Sequence, residues 1–196
     1  MPTINAIVEG DLDEAVAVRL IAEAGHDPGL VYGRRGIGYV REKIAAFNRS
    51  ARHIAYLTLV DFMDTRIACA PDVQRQWVPH PNAGMLFRVA VREIESWLLA
   101  DRQGIAQFLS VPVNRIPSNP EALPDPKQSL VNIARRSRSR QLRQSLVPAV
   151  GSTAHTGRLY VAELKQFVQN TWSVPSAALN SPSLAKCFQR LRAFSL

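Results

Sequence analysis

The sequence predicts an α/β fold: a mostly parallel sheet flanked by helices, followed by a helical, basic C-terminal extension. Three observations carry this expectation. Tyr56-Leu57-Thr58-Leu59-Val60 is an unbroken run of apolar and β-branched residues without helical period, the pattern of a strand buried on both faces. Shorter runs of the same kind, Thr3–Val8 and residues 85–91, are each followed by a stretch of helical period, and repeated strand–helix units favour parallel pairing with right-handed crossovers. The charge is divided along the chain. Residues 1–126 carry 13 Lys+Arg against 15 Asp+Glu, a net of −2, whereas residues 127–196 carry 11 against the single acid Glu163, a net of +10.

The 196 residues, 46% hydrophobic and 20% charged, suit one domain or a domain with a subdomain, able to bury a substantial core. No apolar run approaches the length of a membrane span, and the first residues lack the basic flank and apolar run of a signal peptide. Cys69 and Cys187 are isolated and the four histidines are scattered, which argues against a zinc site or a disulfide framework. A cytoplasmic location without a membrane partner is the expectation.

In chain order, Thr3–Val8 reads as a strand ended by Glu9-Gly10. Asp11 reads as the N-cap of a helix with Glu14 as its capping-box partner, and Gly25 as its end. Residues 29–32 form a second strand candidate. Gly33, Gly36 and Gly38 follow without the spacing of a dinucleotide or P-loop fingerprint, and this stretch reads as a flexible turn. Residues 39–52 read as a helix with Val40, Ile44 and Phe47 inward, and the long buried strand comes next. A short helix from Pro71 to Trp77 precedes the strand at 85–91. A helical stripe through Ile94, Trp97, Leu98, Ile105, Phe108 and Leu109 follows, with Gly104 as a candidate interruption.

Acids stand at the ends of these strands. The buried strand stops at Asp61 and Asp64, the first strand at Glu9, and the strand at 85–91 runs into Glu93 and Glu95. The carboxyl ends of parallel strands are where open α/β sheets bind ligands. Each acid also has a local reading, Asp61 or Asp64 as a cap and Glu93 or Glu95 as complements to a helix dipole. Taken together, Glu9, Asp61, Asp64 and Glu95 would share one edge of the sheet. Their mutual repulsion would need cations, and hard oxygen ligands point to Mg²⁺ or Mn²⁺.

These residues also carry a resemblance. Val8-Glu9-Gly10-Asp11-Leu12-Asp13 resembles the Glu-Gly-x-x-Asp signature of Toprim domains, found in topoisomerases, bacterial primases and OLD-family nucleases. Val60-Asp61-Phe62-Met63-Asp64 resembles their Asp-x-Asp motif, except that Met63 occupies the second aspartate position and Asp64 follows one step later. Residues 91–101 resemble a segment of uncharacterised bacterial Toprim-like proteins, some of them associated with phage defence. The resemblance implies a Toprim-like, Rossmann-like domain over residues 1–105. It implies Glu9 as general acid/base or metal ligand in phosphodiester cleavage and Asp61 as a Mg²⁺ ligand. Asp64 would replace or assist the missing aspartate, and Asp13 and Glu95 would serve a second metal.

Residues 106–196 form the basic extension, expected to pack on the first domain. A proline-rich loop over 116–126 reads as an ordered wrap. Residues 127–146 then read as one helix, with Arg136, Arg140 and Arg143 at i, i+4 and i+7 and Arg135 and Arg138 adjoining. No acid occurs between Lys127 and Gly157, so phosphate contact without sequence readout is the expectation for these five arginines. Two further helices are expected over 159–172 and 184–194.

The function expected from this reading is Mg²⁺-dependent nuclease or nickase action on DNA or RNA, in a phage-defence setting by resemblance. The alternative is a non-catalytic module of the same fold that binds nucleic acid or regulates a partner ATPase. A homodimer is among the expected assemblies. A small-molecule phosphotransferase is disfavoured because no nucleotide-binding loop is visible.

Overall fold

A computed structural model describes residues 2–196. The α/β expectation is borne out. Four strands, β1 (Thr3–Val8), β2 (Asp27–Gly33), β3 (Ala55–Asp61) and β4 (Met85–Ala90), form one all-parallel sheet in the order β2-β1-β3-β4, flanked by helices as in a Rossmann-like fold. The chain divides into two compact units, Met1–Ile94 with Ser183–Leu196, and Glu95–Pro182. The first holds the sheet and the second is helical. The last helix, which sequence alone assigns to the basic extension, groups with the sheet.

In the first unit, every residue of β3 is buried, as its apolar run requires. Side chains alternate across a strand. Tyr56 and Val60 therefore share a face with Ile7, Met85 and Phe87, and meet Val40 and Ile44 of α2 (Gly36–Ser50) and Val73 of α3 (Ala70–Trp77). Leu57 and Leu59, both fully buried, project to the opposite face. There the last helix, α10 (Pro182–Arg192), reaches from the end of β4, where Ser183 Oγ accepts the Val91 N–H, to His26, whose Nε2 lies 2.8 Å from the Leu191 carbonyl. The first helix, α1 (Asp11–Glu23), touches β1, β2 and β3. Its N-cap is Gly10 in extended conformation, not the expected Asp11, which enters as the first helical residue and makes no capping bond. The chain turns into the helix directly after Glu9, one residue earlier than a capping box would allow.

The Gly33–Gly36 segment is a tethered turn. The Arg34 N–H donates to the Val8 carbonyl (3.0 Å) and the Gly36 N–H to that of Glu9 (2.9 Å). Gly33 has φ +103°, and a Cβ there would run into the Val8 carbonyl oxygen, so only glycine fits.

In the second unit, the helical stripe breaks at Asp101 into α4 (Ile94–Ala100) and α5 (Arg102–Phe108). The Asp101 carboxylate accepts the Gly104 N–H (3.1 Å) and the Ser173 N–H (2.9 Å), so the interruption is set by a cap and not by Gly104 itself. The helix expected over 127–146 is likewise two: α6 (Pro126–Ala134) and α7 (Arg140–Leu146). Serine explains the break. Ser137 Oγ accepts the Ser139 N–H (3.0 Å), and Ser139 Oγ caps α7 through the Leu142 N–H (3.3 Å), bonds that compete with a continuous helical ladder. α8 (Tyr160–Asn170) and α9 (Val174–Ala178) complete this unit. Helices this short gain stability from capping and burial more than from propensity. Here Trp97, Leu98, Leu130, Leu146, Leu164, Phe167 and Trp172 are fully buried. No helix among the described residues is long and apolar enough to cross a membrane.

The two cysteines differ in environment. Cys69 is exposed, while Cys187 of α10 is buried, and that burial pushes its thiol up to about 12, with the nearby Arg88 guanidinium partly offsetting the rise. The thiolate is the reactive form. Alkylation with iodoacetamide at pH 8 should therefore modify Cys69 in the native protein and Cys187 only after denaturation. Equal labelling rates, read by mass spectrometry, would show that α10 does not bury its inner face.

Candidate functional site

Asp61 closes β3 and joins three segments. Parallel pairing sets it beside Ala90 at the end of β4 and brings the end of β1 alongside. Its backbone N–H donates to Glu9 Oε1 at 2.8 Å, and its own Oδ1 accepts the Ile94 N–H at 2.8 Å. The second bond anchors the first residue of α4. Glu93 and Glu95 flank that residue in the chain, so fixing Ile94 carries both carboxylates toward β3.

The result is a group of three buried acids, Asp61, Glu93 and Glu95, offering one oxygen each, all within 4.8 Å of one another. Their relative exposures are 9%, 6% and 1%. Carboxylates this close repel in a low-dielectric setting unless positive charge offsets them. Glu95 has some local compensation: Tyr160 donates its hydroxyl to Oε1 (3.2 Å), and the Lys127 ammonium lies 3.6 Å away. The group could bind a metal ion, since anionic oxygen donors are what hard cations take.

Comparison with protein-family models, with curated proteins and with solved structures gives no match. The chemistry of the site therefore has to be read from its own residues.

Of the five acids expected as metal ligands, Asp61 and Glu95 enter the group. Glu9 is half-buried and adjoins it through the Asp61 N–H. Asp13, buried on the first turn of α1, folds back toward the helix start, with Oδ2 3.2 Å from where a Cβ on Gly10 would lie. Asp64 is not in the group, and a 3₁₀ turn over Phe62–Thr65 leaves it and Met63 exposed. That turn is pinned where the Met63 N–H donates to the Arg92 carbonyl (3.1 Å) and Thr65 Oγ1 donates to the Phe62 carbonyl (2.8 Å). Glu93, given the same helix-dipole reading as Glu95, is not among the ligands expected from the sequence. The signal that could have found it is the Glu-x-Glu pair immediately after a buried strand.

The five arginines do not share a helical face, because the break between α6 and α7 falls among them. Arg135 is the C-cap of α6, Arg136 and Arg138 lie in the connecting turn, and Arg140 begins α7. These four are exposed. Arg143 is half-buried, and its guanidinium donates to the Ser137 carbonyl, bracing the turn that displays the others.

Proposed function

We propose that the chain cleaves phosphodiester bonds in DNA or RNA, using Mg²⁺ or Mn²⁺ held by Asp61, Glu93 and Glu95. The observation that carries this reading is the convergence of three carboxylate oxygens within 4.8 Å at the carboxyl end of a parallel sheet. The donor set fits a small hard cation, being all oxygen and anionic. When bound, such an ion supplies Lewis-acid stabilisation of charge on the phosphoryl oxygens. Glu9 would take the proton of an attacking water, a role supported by the Asp61 N–H bond that orients its carboxylate beside the acids. Arg135, Arg136, Arg138 and Arg140 would supply charge-assisted hydrogen bonds to backbone phosphates, with Arg143 positioning the turn. The resemblance of Val8–Asp13 and Val60–Asp64 to Toprim motifs supports the same chemistry. A phage-defence setting rests on that resemblance alone.

A second reading, a non-catalytic module that binds nucleic acid or regulates a partner ATPase, has its own observation. Tyr160 and Lys127 already engage Glu95, and Asp64 is not among the three grouped acids, as a structural carboxylate group would allow.

One assay separates the two. The purified chain is incubated with single- and double-stranded DNA and RNA, with Mg²⁺ or Mn²⁺ and with EDTA. Cleavage should require the ion and vanish in Glu9→Gln while nucleic-acid binding persists, because glutamine keeps the acceptor for the Asp61 N–H but cannot take a proton. Binding without cleavage of any substrate would favour the second reading.

A further inference from the structure

The helix α2 and the β2 edge of the sheet border a shallow, open cleft of about 270 Å³ that contains none of the acids discussed above. Its walls are aromatic: Tyr32 of β2, Tyr56 of β3, and Tyr39 and Phe47 of α2. Ring centroids lie 5.1 Å apart for Tyr32–Phe47, 5.3 Å for Phe47–Tyr56 and 6.2 Å for Tyr32–Tyr56. Lys43 stands among the lining residues, and Ser50 Oγ is hydrogen-bonded to the Tyr56 hydroxyl (3.1 Å). Core packing accounts for Tyr56, which is buried, and for one side of Tyr32 and Phe47. It does not account for Tyr39, which lies outside that cluster, half-exposed, beneath the Arg35 guanidinium at 5.7 Å.

The charge around the cleft departs from the front half as a whole. Between Asp27 and Asp61 there are six Lys+Arg and one acid, Glu42. Lys43 pairs with Glu42 (2.7 Å), but both side chains are exposed, and such a pair is weak enough for a phosphate to displace. No acid lines the cleft. Flat apolar faces, hydroxyls and a cation call for a planar ring that carries negative charge, and a nucleobase with its phosphate meets each requirement. Bases inside a duplex are stacked and cannot enter such a cleft. The location also suits a nucleic-acid ligand. The bonds from Arg34 and Gly36 hang the start of α2 on the end of β1, and Tyr39 follows Gly36 by about 4.5 Å of helix rise.

We propose that this cleft holds an unpaired base of a single-stranded nucleic acid, with Lys43 and Arg35 on the flanking phosphates. The inference deepens the phosphodiester reading above by naming single strands as the substrate class, and it rests on that reading.

The test measures binding apart from cleavage. Fluorescence anisotropy in EDTA compares a short oligodeoxyuridylate, a short oligouridylate and a blunt duplex on the wild-type chain, Tyr39→Ala and Lys43→Gln. Removing one stacking face should weaken single-strand binding by about five- to a hundredfold and leave duplex binding unchanged. The tighter of the two single strands identifies the sugar. Equal weakening for all three probes, or no weakening, overturns the proposal. Photocrosslinking of a 5-iodouracil strand gives a second readout that does not depend on a variant folding. Crosslinks should fall on Tyr32, Tyr39, Phe47 or Tyr56, and crosslinks confined to other peptides overturn the proposal. Tyr39-dependent single-strand binding in a chain that cleaves nothing would sustain the cleft and sink the nuclease reading alone. Ion-dependent cleavage with single-strand binding indifferent to Tyr39 would do the reverse.

Discussion

Asp61→Asn is expected to abolish binding of Mn²⁺ while leaving the fold intact. Asparagine Oδ1 can still accept the Ile94 N–H, so the start of α4 stays anchored. What is lost is one of three negative charges that converge within 4.8 Å. Removing a group that merely supports a metal ligand costs about 10–100-fold in affinity, so removing a ligand should exceed about a hundredfold. Isothermal titration with Mn²⁺ reads this directly. The metal-free variant should also melt at a higher temperature than metal-free wild type, because a repulsive carboxylate is gone. Asp64→Asn is the control: exposed on its 3₁₀ turn, it should change neither quantity. If Asp61→Asn instead leaves Mn²⁺ binding untouched and lowers the melting temperature, the acids are structural and the metal reading fails.

Leu57→Ala should cost about 2–5 kcal/mol of stability, among the largest effects available to a single substitution here. Leu57 is fully buried at the centre of β3, paired across the sheet with Ala6 on one side and Leu86 on the other. The small Ala6 neighbour leaves little material to collapse into the space a truncated side chain would vacate. Because the stability of a domain is only about 5–15 kcal/mol, this one change should move the urea midpoint substantially. Leu30→Ala on the edge strand β2, where the side chain is 67% exposed, should stay within about 0.5 kcal/mol. A loss below about 1 kcal/mol for Leu57→Ala would mean that the second face of the sheet is not tightly covered.

The cleft beside α2 shows why some features escape a linear reading. Tyr32, Tyr39, Phe47 and Tyr56 follow no motif spacing, and Phe47 and Tyr56 look like ordinary inward residues in their own segments. They come to line one cleft only because β2 and β3 flank β1 and α2 packs over them. The serine-rich stretch 137–139 illustrates the opposite case. Its arginine spacing fits a helix, yet the serine hydroxyls bond locally to the backbone and break that helix. A propensity for such bonds was legible in the residues, but its outcome depended on the energy of alternatives that spacing does not report.

What the sequence determined by itself was the sheet. An apolar strand such as β3 can persist only if both faces are covered, so its pattern implies helices on either side and parallel neighbours. It also determined that acids end the strands, because a buried run must stop where polar groups reach solvent. Tertiary structure decided which acids meet. The pairing of Asp61 with Ala90 and the bond from Ile94 N–H to Asp61 bring Glu93 in, while the 3₁₀ turn leaves Asp64 exposed. It decided the place of α10 as well. The amphipathic pattern of that helix shows that Leu184 and Leu191 must be buried, but hydrophobic burial has no direction and cannot name the surface that covers them. Convergence depends on contacts between segments distant in the chain, and those exist only once the strands have paired.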